Sequence, residues 1–296
     1  IDIPEKSILD MIDEAVEKWG DRTSVIFFGK KFKHKEIREL SKRFATALND
    51  LGIKKGDIVG ILLPNCPQFI VAYFGILELG ATATTLSPLY SPREIAHQLK
   101  DSGAKTLVCL DLLYEKVEKV RDEVGLKNVI ITSAVDCLPS TGRLFGRLSG
   151  KALSAEIATR QGLLFFKDLI EKYPPNPPKV EINPKQDLAA LPYTGGTTGY
   201  PKGAMLTHYN IVALQEQIRK YWPGIEDGKE TAVAALPFYH IYGQSVIMLT
   251  GATRGGTGII FPMPDLDAIL DAILKYGVTL FYGVPTLYKY FIDEPK

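Results

Sequence analysis

Residues 193–210 read Tyr-Thr-Gly-Gly-Thr-Thr-Gly-Tyr-Pro-Lys-Gly-Ala-Met-Leu-Thr-His-Tyr-Asn. Four glycines, four threonines and a lysine fall within one short stretch. Glycine lets a backbone turn tightly and approach a ligand closely. Successive backbone N–H groups in such a turn form a concave nest for an anion. Thr194, Thr197, Thr198 and Thr207 add hydroxyl donors, and Lys202 adds a point charge. The combination suits a polyphosphate, although a stretch of this composition also serves as a plain flexible loop. The spacing is not that of a Walker A loop, which needs Lys directly after Gly and then Ser or Thr. Here Tyr200 and Pro201 separate Gly199 from Lys202, and Gly203 follows the lysine. A kinase-type or GTPase-type reading therefore loses its main support.

Outward from this stretch, strand-like and helix-like segments alternate, which predicts α/β layers with mostly parallel sheets and flanking helices. A strand over 188–193 delivers the chain to the loop, a second over 202–206 returns it, and Thr207 caps the helix that follows. Further strands are expected over 231–236, 259–261 and 279–282, with a helix over 266–276 and a last helix opened by Pro285. On the N-terminal side a helix spans 7–19 and a short hairpin turns at Gly29. Buried-type strands are expected at 58–63, 81–86, 106–110 and 128–132, with an apolar helix over 67–79 and another helix over 112–124. Ser91-Pro92-Arg93-Glu94 is a helix start, with Ser91 as N-cap, Pro92 at the first helical position and Glu94 completing a capping box. Residues 138–162 break the alternation and read as a loop or insertion. Their Arg143, Arg147, Lys151 and Arg160 suit a solvated surface better than a phosphate site. Pro174-Pro175-Asn176-Pro177-Pro178 is a stiff connector. The expected organisation is a first α/β subdomain over 1–173, a Pro-rich connector over 174–186 and a second α/β subdomain over 187–296.

Composition sets the outer bounds. A formal net charge of +1 provides no global field for nucleic acid or a membrane surface. Three cysteines, Cys66, Cys109 and Cys137, are too few for a disulfide framework and lack metal-ligand spacing, which suggests a reducing, cytoplasmic setting. The longest strongly apolar run, Phe69 to Leu77, is far shorter than the ~20 residues that span a bilayer. No transmembrane segment is expected; peripheral membrane contact and a homodimer stay open. No signal peptide is recognised, and because the chain starts at Ile1 rather than Met, a trimmed terminus is expected.

The 193–210 stretch closely resembles the signature of the adenylate-forming superfamily: AMP-forming acyl-CoA synthetases, luciferases and adenylation domains. That signature usually reads Tyr-Thr-Ser-Gly-Thr-Thr-Gly-x-Pro-Lys-Gly, followed by Thr-His. Gly195 stands where Ser is commonest, a variant familiar among long-chain fatty acyl-CoA synthetases. Two further segments resemble the same family. Ala235-Leu236-Pro237-Phe238-Tyr239-His240-Ile241-Tyr242-Gly243 is similar to the turn flanking the acyl pocket, where the residue at His240 lies beside the reacting carboxylate and the adenylate phosphate. Taken alone, such a His is more often a structural turn residue. Tyr282-Gly283-Val284-Pro285 is similar to the segment lining the acyl channel, and can equally start a core helix. Amino-acid-activating relatives place Asp after the Phe; Tyr239 stands there instead, so an uncharged acyl tail is preferred.

The resemblance implies the large N-terminal α/β domain of an acyl-adenylating enzyme, truncated. It implies ATP-dependent activation of a carboxylic acid, here a fatty acid, to acyl-AMP and then acyl-CoA, with Mg²⁺ and with coenzyme A as co-substrate. Thr194, Gly195, Gly196, Thr197, Thr198, Gly199 and Lys202 would hold the ATP phosphates, with Thr194 also in the Mg²⁺ shell. Lys202 could instead shape the loop through a salt bridge. Phe238, Tyr239, Tyr242, Gly243, Tyr282, Gly283, Val284 and Pro285 would form the acyl wall, with His240 on the carboxylate side. Segments that hold adenine in full-length relatives, and their mobile C-terminal domain with its catalytic lysine, have no counterpart here, so this chain alone is expected to be inactive. Aryl acids remain open as substrates. So do two other classes, an unrelated phosphate-binding enzyme and a non-catalytic nucleotide-binding or interaction module.

Overall fold

The computed structural model describes residues 1–138, 157, 162–195 and 201–293. Most of the described strands lie in two large sheets. The first has the order β14-β12-β13-β1-β2. Its strands are β1 (Thr23–Phe27), β2 (Lys30–Lys33), β12 (Thr231–Ala234), β13 (Thr257–Ile260) and β14 (Leu280–Phe281). All pair in parallel except the β1–β2 hairpin. That hairpin turns through Phe28 and Gly29, both at positive φ, as the twist of a tight two-residue connection requires.

The second sheet has the order β11-β8-β4-β3-β5-β6-β7. It comprises β3 (Ile58–Leu62), β4 (Thr82–Thr85), β5 (Thr106–Leu110), β6 (Asn128–Thr132), β7 (Leu163–Phe165), β8 (Leu188–Ala190) and β11 (Leu206–Thr207). Only β11 runs antiparallel to its neighbour. Its central strands are buried on both faces, matching their near-continuous apolar or small-residue sequences.

The sheets do not part at the connector. Strands β1 and β2 complete the sheet formed by residues 231–281, while β8 and β11 extend the sheet formed by residues 58–165. The expected division at 173 and 187 describes chain order only, because strand pairing here joins segments far apart in sequence. One apolar core unites residues of both sheets around α3 (Pro67–Glu78), whose side chains from Pro67 to Leu77 are all buried. A helix apolar on every side must be enclosed, and α2 (His34–Asp50) packs along it.

α1 (Ile8–Trp19) and α4 (Pro92–Ser102) both begin with a capping box, the second at Ser91 and Glu94 as its sequence indicates. The expected helix over 112–124 is broken into a 3₁₀ turn at Asp111–Leu113, α5 (Tyr114–Glu118) and α6 (Arg121–Val124). Tyr114, Val117, Val120 and Val124 still face the core, so the apolar period survives the interruption. The expected strand over 188–193 is also broken. Pro192 has no N–H for a ladder, and the chain leaves the large sheet after β8. The basic patch at Arg143, Arg147, Lys151 and Arg160 lies outside the described residues.

Candidate active site

Beyond Pro192 the chain forms a small hairpin of its own, β9 (Tyr193–Thr194) against β10 (Lys202–Gly203). The register sets Thr194 directly opposite Lys202, and Gly203 opposite Tyr193. Thr194, Gly195 and Lys202 are exposed. A hydroxyl and an ammonium thus flank the mouth of the loop between them, in a donor set that fits phosphate oxygens, while the threonine oxygen fits a hard cation such as Mg²⁺. Gly196, Thr197, Thr198 and Gly199 lie outside the described residues.

The hairpin base is fixed to the large sheet. Ala204 N–H donates to Pro192 O at 2.8 Å and Leu191 N–H to Ala83 O at 2.9 Å. The Thr84 hydroxyl donates to Leu191 O at 2.8 Å, and Gln98 Nε2 donates to Thr84 Oγ1 at 2.8 Å and to Thr85 O at 3.0 Å. Gly203 packs closely here: a Cβ would lie 3.0 Å from the Leu191 side chain and the Tyr193 ring, so both would have to shift slightly. A cleft lined by Tyr90, Arg93, His97, Tyr193 and Pro201 opens between α4 and the hairpin. Burial, and then the neighbouring Asp101 carboxylate, raise the Tyr193 phenol above its ordinary range, so its hydroxyl stays protonated and donates to Asp101 at 2.6 Å.

The second candidate segment leaves the carboxyl end of β12. Its turn over 236–240 is held by Asn65, which follows β3 and is 2 % exposed. Asn65 Nδ2 donates to Ala234 O at 3.0 Å and Leu236 O at 2.9 Å, while its Oδ1 accepts from Phe238 N–H at 2.7 Å. The Thr85 hydroxyl donates to Tyr239 O at 2.8 Å. Consecutive strand residues point to opposite faces, so Thr84 secures the chain entering the Tyr193–Gly203 hairpin and Thr85 secures the His240 turn from one strand end. The two candidate segments are therefore joined through the carboxyl end of β4. Ligands of open α/β sheets bind outside the carboxyl ends of the strands.

His240 is exposed at this turn. Its Nδ1 accepts from Tyr242 N–H at 3.2 Å. A neutral ring that accepts at Nδ1 carries its proton on Nε2, leaving a donor for an anionic oxygen. Phe238 is buried against Phe69, with ring centroids 5.8 Å apart. Gly243 is buried too, and a Cβ there would lie 2.2 Å from Pro237 O. Both shape the turn by packing on protein atoms. A π-helical segment, Gly243–Leu249, follows.

Tyr239 and Tyr242 are half-buried, as is Tyr282, which lies just past the end of β14 on the strand beside β12. The Tyr282 ring lies 6.0 Å from that of Trp222, and burial raises its phenol to about 12. A Cβ at Gly283 would meet the Tyr288 ring at 2.7 Å. Val284 and Pro285 are exposed, and Pro285 opens the last helix, Pro285–Asp293. Asn65, Thr84, Thr85 and Gln98 went unnoticed in the sequence. Their signal was faint: Asn65 follows the apolar strand ending at Leu62, Thr84 and Thr85 close β4, and Gln98 is a polar residue on the buried face of α4.

The sequence matches the AMP-binding enzyme family over residues 12–296, and the chain belongs to that family. It is 32% identical to a long-chain-fatty-acid–CoA ligase of Bacillus subtilis (strain 168) over 296 residues, covering 99% of this chain and 53% of the relative. It is 36% identical to a long-chain-fatty-acid–CoA ligase of Escherichia coli O157:H7, covering 98% and 53%. The crystal structure of a long-chain-fatty-acid-CoA ligase from Archaeoglobus fulgidus is similar with a TM-score of 0.82 at 27% identity, covering 99% of this chain and 54% of that one. The chain spans about half the length of the relatives it matches. No described helix is long and apolar enough to cross a membrane.

Proposed function

We propose that this chain carries the phosphate-binding and acyl-binding half of a ligase that activates a fatty acid with ATP and passes it to coenzyme A. The observation that carries this reading is the junction at β4, where Thr84 holds the stem of the phosphate hairpin and Thr85 holds the turn bearing His240. In the first step a carboxylate oxygen bonds to the α-phosphorus of ATP and the bond to the bridging oxygen of pyrophosphate breaks. In the second, the coenzyme A thiolate bonds to the acyl carbon and AMP leaves with the electron pair of the cleaved bond. Chemistry of this kind depends on positioning and charge neutralisation.

Thr194, Gly195, Gly196, Thr197, Thr198, Gly199 and Lys202 hold the β- and γ-phosphates. Mg²⁺, when bound, neutralises phosphate charge, with Thr194 as its ligand from this chain. His240 Nε2–H donates to the carboxylate or adenylate oxygen. Tyr239, Tyr242, Tyr282 and Val284 present an uncharged wall, which suits an alkyl tail.

The test is acid-dependent ATP–pyrophosphate exchange against a panel of alkanoic and aryl acids on a longer product of the coding sequence, with this chain alone, expected to be inactive, measured beside it. Exchange led by alkanoic acids is expected. Thr197→Ala and Lys202→Ala should slow adenylation far more than thioester formation from supplied acyl-AMP. Absence of acid-dependent exchange, or equal losses in both half-reactions, would overturn the assignment; a preference for aryl acids would replace the substrate class.

A further inference from the structure

The phosphate hairpin is too small to set its own geometry. Its ladder has two residue pairs, Thr194 with Lys202 and Tyr193 with Gly203, and a short isolated hairpin is at best marginally stable in water. Yet the gap between Thr194 and Lys202 must be fixed if both are to meet one polyphosphate. Support comes from α4. His97 Nε2 lies 3.2 Å from Pro201 O, a contact in which the ring nitrogen donates. One helical turn further on, Asp101 accepts from the Tyr193 hydroxyl at 2.6 Å. Residues four apart share one helix face, so a single face reaches both strands: His97 beside the returning one and Asp101 the arriving one. Gln98, between them, reaches Thr84 and through it Leu191 O. The helix itself is firmly seated, capped by Ser91 and Glu94 and buried through Ile95 and Leu99.

We propose that α4 braces the phosphate hairpin, with His97 and Asp101 as positioning residues that set the spacing of Thr194 and Lys202. The proposal rests on the functional reading above for its kinetic consequence but not for its structural one, so the test has two arms. In the full-length polypeptide, His97→Leu, Asp101→Ala and Tyr193→Phe should each raise KM for ATP about tenfold, the loss of roughly one hydrogen bond. KM for the acid, and thioester formation from supplied acyl-AMP, should stay within about twofold, since these contacts touch neither. His97→Gln and Asp101→Asn, which keep a donor and an acceptor in place, should restore the wild-type KM for ATP. In the second arm, amide hydrogen exchange is followed at Ala204, whose N–H closes the hairpin base on Pro192 O. Exchange there should quicken about tenfold in His97→Leu and Tyr193→Phe, with or without catalysis.

Unchanged exchange at Ala204 would overturn the brace. So would KM values for ATP and acid rising together, or conservative variants that fail to recover. A wild-type protein lacking acid-dependent exchange would defeat the functional reading alone, and Ala204 would still decide the brace.

Discussion

Replacing Asn65 with alanine is expected to destabilise the fold and loosen the turn that presents His240. The side chain makes three buried hydrogen bonds, two donated to Ala234 O and Leu236 O and one accepted from Phe238 N–H. Each bond contributes about 1 kcal/mol net, and a buried group left unpaired costs about 1–3 kcal/mol. Alanine cannot replace the bond to the Phe238 N–H and leaves a cavity the size of an amide. The sum is about 3–5 kcal/mol, a large share of a typical stability of about 5–15 kcal/mol. Urea unfolding followed by circular dichroism gives the measurement, read as a lower midpoint at constant slope. Thr85→Val, which loses one hydroxyl bond to Tyr239 O, is the internal scale at about 1 kcal/mol. Asn65→Asp keeps the acceptor for Phe238 N–H but sets carboxylate oxygens against two carbonyls, so it should not rescue stability at neutral pH. A loss below about 1 kcal/mol for Asn65→Ala would refute the clamp.

Three further outcomes are expected. Burial lowers the pKa of His34 and of His208 from 6.5 to about 4, so both are neutral in the native state while the unfolded chain protonates near 6.5. Their contribution is complete above pH 6.5 and is lost as pH falls toward 4, by about 3 kcal/mol each; His208→Phe should remove about one proton from the acid limb of a stability–pH curve, and an unchanged slope would contradict it. Gly243→Ala should lower the urea midpoint sharply, because its Cβ would sit 2.2 Å from Pro237 O; a wild-type midpoint would show that the turn relaxes freely. Gly251→Ala should stabilise by about 0.5–1 kcal/mol, since this helical glycine has open space around its Cβ position; a lower melting temperature would count against it.

Local features read well from the sequence. The capping box at Ser91, the buried strands at 58–62 and 106–110 and the apolar helix from Pro67 carry their periodicity or cap chemistry within a few residues. What escaped was non-local. No pattern within 23–33 announces that its partner strand lies at 257–260. Asn65, Thr84 and Thr85 bond to backbone atoms more than 100 residues away, and a side chain that serves a distant carbonyl leaves no spacing to detect. Gly243 shows the limit from the other side. The resemblance puts it in the acyl wall, whereas the space beside its Cα is filled by the Pro237 carbonyl.

The interleaving of the sheets also bears on how the chain is made. Val25 pairs with Gly258 and Phe27 with Ile260, so the first hairpin leaves the ribosome more than 200 residues ahead of its partner. At about 5–20 residues per second it waits roughly 10–50 s with an open edge on its β1 side. Its other strand is Lys30-Lys31-Phe32-Lys33, and lysines along a strand edge repel the approach of a second chain. Among the described residues the same strand is an outer edge of the sheet. A single run of charge thus guards the β2 edge in the nascent hairpin and in the folded sheet alike, while the β1 edge stays open until residues 257–260 arrive.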